Sequence, residues 1–198
     1  MALPSEGTLD SIHRGTFLRP DCESCPLRYE TKVSPEGDLH AHVMLVGEAP
    51  GEEEEIQGRP FQGRSGLLLN QLLERLGVDR DTLWISNATL CRPHAMSRIE
   101  SVPCKMCKAD RRKKAFVACS WCDSTGQAEE TLYLNDKQVL REASAFCRER
   151  LYSEVRQIRP RVVVPLGRHA LEAFIGKSSG IISHRGGIHV ASVSLEPT

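Results

Sequence analysis

Short, uninterrupted apolar runs alternate along this chain with stretches in which leucines recur at helical spacing. Residues 43–46 form the first such run, which predicts a β-strand buried on both faces. A strand followed by a helix that can pack against it is typical of an open α/β sheet. The predicted helix ends near Gly77 and carries its apolar face on Leu68, Leu69, Leu72, Leu73 and Leu76.

The rest of the chain repeats this alternation. Residues 82–87 predict a second strand, and apolar positions that step by three and four over 140–158 predict a helix that Pro160 ends. Residues 161–167 predict another buried strand with a helix after it, whereas residues 1–16 show no period and are expected to be a tail. Apolar residues near the end of the sequence predict one further strand or a pair of strands, at Ile188, Val190, Val193 and Leu195.

The first predicted strand ends in a loop rich in glycine and carboxylates. Gly47-Glu48-Ala49-Pro50-Gly51 turns the chain, four glutamates continue the loop, and residues 58–66 form a second Gly-rich segment. Open α/β sheets place their ligand sites at the carboxyl ends of strands, and the second strand brings Asn87 to the same edge. A phosphate-binding glycine loop is disfavoured, because the Lys-Ser/Thr pair and the dinucleotide glycine spacing are both absent.

Composition and charge limit the function classes. The 198 residues suit one domain with a full core, and the formal net charge of zero means that nucleic-acid binding must use a local basic patch. No run approaches the length of a transmembrane helix, and the N-terminus has no basic segment that leads into an apolar one. We therefore expect a monomeric protein that is soluble, cytoplasmic and not bound to a membrane.

Eight cysteines are the strongest compositional signal. Six of them form C-x-x-C pairs, a spacing that lets both sulfurs bind one metal, and the lack of a signal peptide favours metal ligation over disulfides. Reduced thiols in the core are the alternative for the first pair and for Cys147. The pairs are Cys22/Cys25, Cys104/Cys107 and Cys119/Cys122, and the single cysteines are Cys91 and Cys147.

The second and third pairs predict a separate metal-binding segment over residues 103–126. Two C-x-x-C pairs separated by eleven residues have the spacing of a zinc ribbon, and a mononuclear iron would use the same four sulfurs. Four sulfurs leave a zinc ion no open position, so this site is expected to be structural. The basic residues from Lys108 to Lys114 predict either a solvated loop or a tip that contacts phosphate.

Several motifs occur in one order along the chain. They are Gly47-Glu48-Ala49-Pro50-Gly51-Glu52-Glu53-Glu54, Gln57-Gly58-Arg59-Pro60-Phe61, Gly63-Arg64-Ser65-Gly66, Ser86-Asn87-Ala88, Cys91-Arg92-Pro93 and Arg161-Val162-Val163-Val164-Pro165-Leu166-Gly167. This ordered set resembles family 4 of the uracil-DNA glycosylases, the iron-sulfur enzymes of bacteria and archaea. The resemblance implies one three-layer α/β/α domain over residues 1–198, with a mostly parallel four-stranded sheet. It also implies hydrolysis of the N-glycosidic bond of uracil flipped out of DNA, which starts base excision repair.

The resemblance and the chemistry of uracil together point to site residues. Cleaving the bond leaves the sugar with oxocarbenium character and the base as an anion, so the enzyme needs hydrogen-bond donors at the uracil oxygens and a positioned water. The amide of Asn87 can accept from N3–H and donate to O4, a pattern that cytosine reverses. By resemblance, Phe61 stacks on the uracil and the backbone of Ala49-Pro50-Gly51 lines the water and sugar side. Glu48 is the candidate to orient the water, and Glu54 is a candidate substrate contact that we expect to be mainly structural.

By the same resemblance, the first cysteine pair and the two single cysteines hold a 4Fe-4S cluster. Base hydrolysis needs no electron, so we expect the cluster to be a scaffold. The family separates its third and fourth ligands by a short segment, whereas a long insert with the zinc-ribbon cysteines intervenes here. The four expected cluster ligands are Cys22, Cys25, Cys91 and Cys147.

Two departures from the family pattern bear on activity. The asparagine that follows the family's Cys-Arg-Pro-Pro stretch is absent from residues 91–98, and the sequence stops at Pro197-Thr198, where the family continues into a His-Pro-Ser motif. We therefore expect either a longer natural product or a slow or inactive enzyme. Two other functions stay open from the sequence: a non-catalytic DNA-binding member of the superfamily, and an electron-transfer module.

Overall fold

The structure is a computed structural model that describes residues 20–106, 125–176 and 181–191. Contacts divide the chain into a larger unit, residues up to Pro93 and from Val139 onward, and a smaller unit, His94–Gln138. The described elements are, in chain order, β1 (Glu36–Gly37), β2 (Val43–Gly47), α1 (Glu52–Gln57), α2 (Arg64–Arg75), β3 (Trp84–Asn87), β4 (Met96–Pro103), β5 (Gln127–Leu134), α3 (Asp136–Ile158), β6 (Val162–Pro165), α4 (Arg168–Ile175) and α5 (Ile181–His184).

A four-stranded sheet lies at the centre of the larger unit, in the order β1-β3-β2-β6. β3 and β6 both run parallel to β2, whereas the two-residue β1 is antiparallel to β3. The prediction of a mostly parallel four-stranded sheet is therefore confirmed. Because parallel neighbours end at the same edge, the loops that follow β2, β3 and β6 come together there.

The central strands are buried because helices pack on both faces of the sheet. In β2, Met44 and Val46 belong to one core cluster with Leu151 of α3 and with residues of α4. Leu45, which points the other way, belongs to a second cluster with Leu73 of α2. Helices on both faces of the sheet make the three layers that the sequence predicts.

The predicted helices form close to their expected bounds. The leucine helix α2 ends one residue before Leu76, and Gly77 then takes a left-handed φ of 64°. The long helix α3 ends at Ile158, two residues before the predicted stop at Pro160. Of the helices that the structure describes, none is long and apolar enough to cross a membrane.

The acidic run after β2 differs from its prediction as a continuous loop. Residues 52–57 form helix α1, and Gly51 is its N-cap. The Glu54 carboxylate accepts a hydrogen bond from the Gly51 N–H, at 3.0 Å, as in a capping box. Carboxylates in the first helical turn also interact favourably with the helix dipole, which explains why four consecutive glutamates are compatible with a helix here.

The strand predicted near the end of the sequence is wrong for its first two positions. Ile188 and Val190 lie in irregular chain after α5, and they are 99% and 96% exposed. Alternating apolar residues form a strand only when a neighbouring strand pairs with them. These two residues have no strand partner in the described part of the chain. The other two positions, Val193 and Leu195, lie outside the described residues.

The smaller unit contains an antiparallel pair that the sequence analysis did not predict. β4 and β5 pair from Met96 opposite Leu134 to Pro103 opposite Gln127. Half-buried and exposed residues alternate along all of β4, but the half-buried positions include charged side chains, so the apolar pattern is weak. These strands flank the segment for which the sequence predicts a zinc ribbon.

Cys104 is the one predicted zinc ligand among the described residues. It follows β4, is 1% exposed, and its N–H donates to the carbonyl of Gly126, at 2.9 Å, so it lies where the two strands separate. Cys107, Cys119 and Cys122 lie outside the described residues. The zinc ribbon therefore stays a prediction.

Candidate active site

The register of β2 and β3 brings two predicted residues to one edge of the sheet. Gly47 pairs with Asn87, the Ala88 N–H donates to the Gly47 carbonyl at 2.8 Å, and the Thr89 N–H donates to the Glu48 carbonyl at 3.0 Å. Glu48 and Asn87 are therefore neighbours across the ends of two parallel strands. This is the convergence that the sequence predicts.

A cavity of about 1060 Å³, here called the edge cavity, opens at this point. It is larger than a nucleobase requires and lies slightly above the range of about 300–1,000 Å³ that is typical of small-molecule sites. Its other walls come from the start of α2, including Arg64 and Ser65, and from the β6–α4 connection at Leu166 and Gly167. Every substrate or catalytic residue predicted from the sequence lines it, namely Glu48, Ala49, Pro50, Gly51, Glu54, Phe61 and Asn87.

Asn87 lies against Gly47, which the ring of Phe61 also approaches. The side chain is 4% exposed, and a β-carbon added to Gly47 would lie 2.3 Å from Asn87 Oδ1 and 2.8 Å from the Phe61 ring. Both distances are far below contact distance, so residue 47 must be glycine for the amide and the ring to occupy these positions. The glycine thus allows the Asn87 amide and the Phe61 ring to approach the end of β2 together.

Phe61 has a left-handed backbone, with a φ of 54°. This conformation is strained for a bulky residue and costs of the order of 1–3 kcal/mol, so the surroundings must enforce it. Gly66 packs on its backbone, since a β-carbon there would lie 1.9 Å from the Phe61 carbonyl oxygen. Arg80 donates to the preceding Pro60 carbonyl at 2.8 Å. The chain is held so that the ring reaches the edge cavity.

Glu54 closes the loop that carries these residues. Its Oε1 accepts from the N–H groups of Gln62 and Gly63, at 3.0 and 2.9 Å, and its Oε2 accepts from Gly51 at 3.0 Å. Burial works to raise the pKa of the Glu54 carboxyl, but the backbone N–H groups outweigh it, so the pKa lies below its ordinary value. The carboxylate is ionised and its oxygens are occupied by the loop, which fits the structural role expected for it.

Glu48 is held in place by the start of α4, the helix that follows β6. Its Oε1 accepts from the His169 N–H at 3.1 Å. Gly167 makes this possible, because a β-carbon on it would lie 2.5 Å from Glu48 Cγ and Oε1. One carboxylate oxygen is thereby held by backbone, and the side chain faces the edge cavity.

Arg150 of α3 is a site residue that the sequence analysis missed. Its Nη2 donates to the carbonyls of Asn87 and Ala88, at 2.7 and 2.9 Å. It therefore fixes the backbone of Asn87, the residue predicted to recognise the base and here called the base reader. It also forms a buried ion pair with Glu154, which accepts from Trp84 Nε1 at 3.1 Å. A charged pair four residues apart on the apolar face of a predicted helix was the available signal.

The four cysteines expected to hold a cluster line a second cavity, here called the cysteine cavity. No disulfide forms among the described cysteines. In the described ranges, no three His, Cys, Asp or Glu side chains lie close enough for a single metal ion. The four thiols therefore do not form a ready site for one ion. They are Cys22, Cys25, Cys91 and Cys147.

Burial dominates the acidity of two of these thiols. It raises the pKa of Cys91 to about 12, against a smaller opposing effect of Lys32, and the neighbouring cysteines raise it further. Burial also raises the pKa of Cys25, although a hydrogen bond from the Leu27 backbone lowers it in part. Without a bound cation these groups are neutral thiols at pH 7.

Comparison with known proteins identifies the family. Residues 34–195 match the model of the uracil DNA glycosylase superfamily. A type-4 uracil-DNA glycosylase from Thermotoga maritima is 32% identical over 168 residues, which cover 83% of this chain and 67% of the relative. A type-4 uracil-DNA glycosylase from Saccharolobus solfataricus is 30% identical over 152 residues, which cover 75% of this chain and 52% of the relative. One from Pyrobaculum aerophilum is 48% identical over 87 residues, which cover 43% of each chain. The chain thus spans 40% to 67% of the length of the curated relatives it matches. It belongs to the uracil DNA glycosylase superfamily, in the type-4 group.

Proposed function

We propose that this protein is a uracil-DNA glycosylase, which hydrolyses the N-glycosidic bond of a uracil flipped out of DNA and so starts base excision repair. One observation carries the proposal: the Asn87 amide, the Phe61 ring and the Glu48 carboxylate come from three separate segments and line one cavity. A base reader, a stacking surface and a carboxylate beside a water are the parts that this hydrolysis requires. Membership of the superfamily supports the same reaction.

Asn87 would select uracil by its hydrogen-bond pattern. Oδ1 accepts from N3–H and Nδ2 donates to O4, whereas cytosine has an acceptor at N3 and a donor at N4. A buried polar group without a partner costs about 1–3 kcal/mol. Two mismatched groups would therefore disfavour cytosine by roughly 2–6 kcal/mol, which is at least about 30-fold in binding.

Phe61 would stack on the flipped base. Taking a base out of the duplex costs a few kcal/mol, and stacking on an aromatic side chain returns about 1–3 kcal/mol. Gly47 lets the ring and the amide both approach the end of the strand, and the backbone of Ala49-Pro50-Gly51 continues the cavity wall toward the sugar side. A planar base would then lie between the ring and this wall.

Glu48 would orient the attacking water. With Oε1 fixed by the His169 N–H, the carboxylate has one orientation, and its second oxygen can accept a hydrogen bond from a water at the sugar. The negative charge also stabilises the oxocarbenium character that develops on the sugar. Glu54 does not share this role, because the loop N–H groups bind both of its oxygens.

The cysteine cavity would hold a 4Fe-4S cluster. Its donor set fits: four thiols line it, no carboxylate does, and three cations also line it, namely Arg28, Lys32 and Arg150. Four thiolates outweigh the positive charge of the iron-sulfide core, so the bound complex is an anion that these cations would balance. The cluster would supply cross-links between the N-terminal segment, the chain after β3 and helix α3.

The smaller unit would hold a structural zinc ion. Cys104, buried at the end of the β4–β5 pair, would be one ligand, and Cys107, Cys119 and Cys122 the others. Four thiolates complete a tetrahedral zinc site and leave no position for a substrate. Elemental analysis is expected to give about four irons and one zinc per chain.

Excision of uracil from oligonucleotides tests the proposed activity. Purified protein is incubated with single- and double-stranded DNA that contains uracil, cytosine or thymine at one position, and alkali then cuts any abasic site. Scission is expected at uracil alone. Absence of scission at stoichiometric protein refutes the proposal, and binding without scission indicates the non-catalytic DNA-binding alternative.

Asn87→Ala tests the assignment of the base reader. Removing an amide that acts on the leaving base is expected to lower the single-turnover rate by about 10²–10³-fold, since single positioned donors contribute that much. Gln71→Ala, which removes an exposed side-chain amide on α2 outside the edge cavity, is the matched control and retains the rate. Full activity of Asn87→Ala contradicts the role of this residue.

A further inference from the structure

Arg150 contacts both the edge of the sheet and the cysteine cavity. The side chain is 3% exposed, and Nη2 binds the carbonyls of Asn87 and Ala88 at 2.7 and 2.9 Å. Nη1 donates to Ser86 Oγ at 3.2 Å and pairs with Glu154. One guanidinium thus holds three consecutive residues at the end of β3.

The third guanidinium nitrogen of Arg150, Nε, has no hydrogen-bond partner in the described part of the chain. Among the residues that the structure describes, Nε of Arg150 is the one buried side-chain nitrogen or oxygen without a hydrogen bond. Buried polar groups are nearly always paired, and an unpaired N–H of a charged group is particularly unfavourable. The cavity that Arg150 lines together with Cys91 and Cys147 is the place from which an acceptor can come.

The lining of the cysteine cavity indicates the chemistry of that acceptor. A buried water would also satisfy one N–H group. However, three cations and four thiols line the cavity and no carboxylate does, so its electrostatics favour an anion with sulfur acceptors. A thiolate-bound iron-sulfur cluster is such a group, and hydrogen bonds to its sulfurs are known to tune clusters.

We propose that Arg150 is a positioning residue that links the iron-sulfur cluster to the base reader: Nε donates a hydrogen bond to a cluster sulfur, while Nη1 and Nη2 hold the chain from Ser86 to Ala88. This inference rests on the proposed function for the meaning of Asn87 and on the proposed cluster. Its consequence is that the cluster supplies the one partner that Arg150 lacks and so stabilises the backbone that carries the Asn87 side chain. The cluster then contributes to the reaction through geometry and not through electron transfer.

Single-turnover kinetics test whether Arg150 positions the chain that carries Asn87. Arg150→Lys retains the charge but cannot bind both carbonyls and a sulfur at once. We expect the single-turnover excision rate to fall by about 10- to 100-fold, as for a misplacement of about 1 Å, while the dissociation constant for DNA with an abasic analogue stays within about twofold. Arg156→Gln, which breaks an ion pair with Glu149 on the same helix, is the control and keeps the wild-type rate. An unchanged excision rate in Arg150→Lys overturns the positioning role of Arg150.

Pulsed electron paramagnetic resonance tests the contact with the cluster without relying on the fold of an Arg150 variant. The protein is grown with arginine that carries ¹⁵N only in its guanidinium group, because the backbone nitrogens of Arg92 and Arg148 adjoin Cys91 and Cys147. The cluster is reduced with dithionite, and a ¹⁵N hyperfine coupling is expected. Arg28, the other arginine among the described residues that line the cavity, is exposed, so the coupling must persist in labelled Arg28→Lys. A spectrum without ¹⁵N coupling, or a coupling lost in Arg28→Lys, overturns the contact, as does wild-type protein that binds no iron.

The two experiments separate this inference from the proposed function. If the wild-type protein excises no uracil, the proposed function fails, and the ¹⁵N coupling still decides whether Arg150 contacts the cluster. If the wild-type protein is active and Arg150→Lys is equally active, only the inference fails. A midpoint potential of the cluster that shifts in Arg150→Lys and not in Arg156→Gln adds a readout that a purely structural role would not move.

Discussion

Replacing Glu54 by glutamine alters a carboxylate that closes the loop from residue 51 to residue 63. The two oxygens accept three backbone hydrogen bonds, from Gly51, Gln62 and Gly63. Glutamine has one acceptor oxygen, which can keep the two bonds at Oε1. Its amide nitrogen then faces the N–H of Gly51, so two donors oppose each other in a buried position.

The expected loss of stability follows from these contacts. A hydrogen bond to a charged group contributes about 1.5–3 kcal/mol, and the remaining bonds weaken because a neutral acceptor replaces a charged one. We expect Glu54→Gln to lower the free energy of unfolding by roughly 2–4 kcal/mol, measured by urea denaturation. Glu53→Gln changes an exposed neighbour in the same helical turn and is expected to stay within about 0.5 kcal/mol of wild type.

The pH dependence gives a second check on Glu54. Its pKa is lowered in the folded protein, so its contribution to stability is present above the ordinary carboxyl pKa of about 4.3 and is lost as the pH falls through the lowered value. The difference between wild type and Glu54→Gln should therefore shrink in acid and stay constant at neutral pH. Equal midpoints for Glu54→Gln and Glu53→Gln at pH 7 would refute the closing role of this carboxylate.

Three further substitutions test other parts of the molecule. Gly47→Ala places a β-carbon 2.3 Å from Asn87 Oδ1, so the excision rate should fall by about 10²-fold in single-turnover assays while the circular dichroism is unchanged; an active variant would show that the amide is not held here. Phe61→Leu removes the stacking surface and should raise the KM for uracil-containing DNA by about 5- to 150-fold, and an unchanged KM argues against stacking. Cys91→Ser should lower the iron content and the Tm together, whereas Cys104→Ser keeps the iron; equal iron in both variants would contradict the ligand assignment.

The sheet and its helices were predictable because they depend on strong local patterns. Residues 43–46 form a continuous apolar run that is buried from Met44 onward, and the period of three and four in α3 is long enough to exclude a strand. The positions of Glu48 and Asn87 then follow, because parallel strands end at one edge. The candidate site could be located from these elements alone.

The features that sequence analysis missed depend on contacts between distant segments. The pairing of β4 with β5 is satisfied mainly by the backbone, so charged residues can occupy both strands and hide the alternation. Ile188 and Val190 alternate with polar residues as in a strand, but no strand in the described part of the chain pairs with them. The role of Arg150 requires knowing that α3 packs behind the end of β3, about sixty residues earlier in the sequence. The spacing of Arg150 and Glu154 indicates a buried ion pair, but it does not indicate which strand that pair contacts.

Two glycines that line the edge cavity, and Gly66, which packs behind Phe61, have a consequence for altering its substrate. Gly47, Gly66 and Gly167 each lie so close to a neighbouring group that any side chain would collide with it. Every substitution at these positions adds atoms, so a mutational library should recover glycine alone at all three. The wall formed by Leu68 and Leu72 of α2 has no such limit, since both side chains are more than 40% exposed. Selection for a wider or a different range of bases would therefore act on this leucine wall.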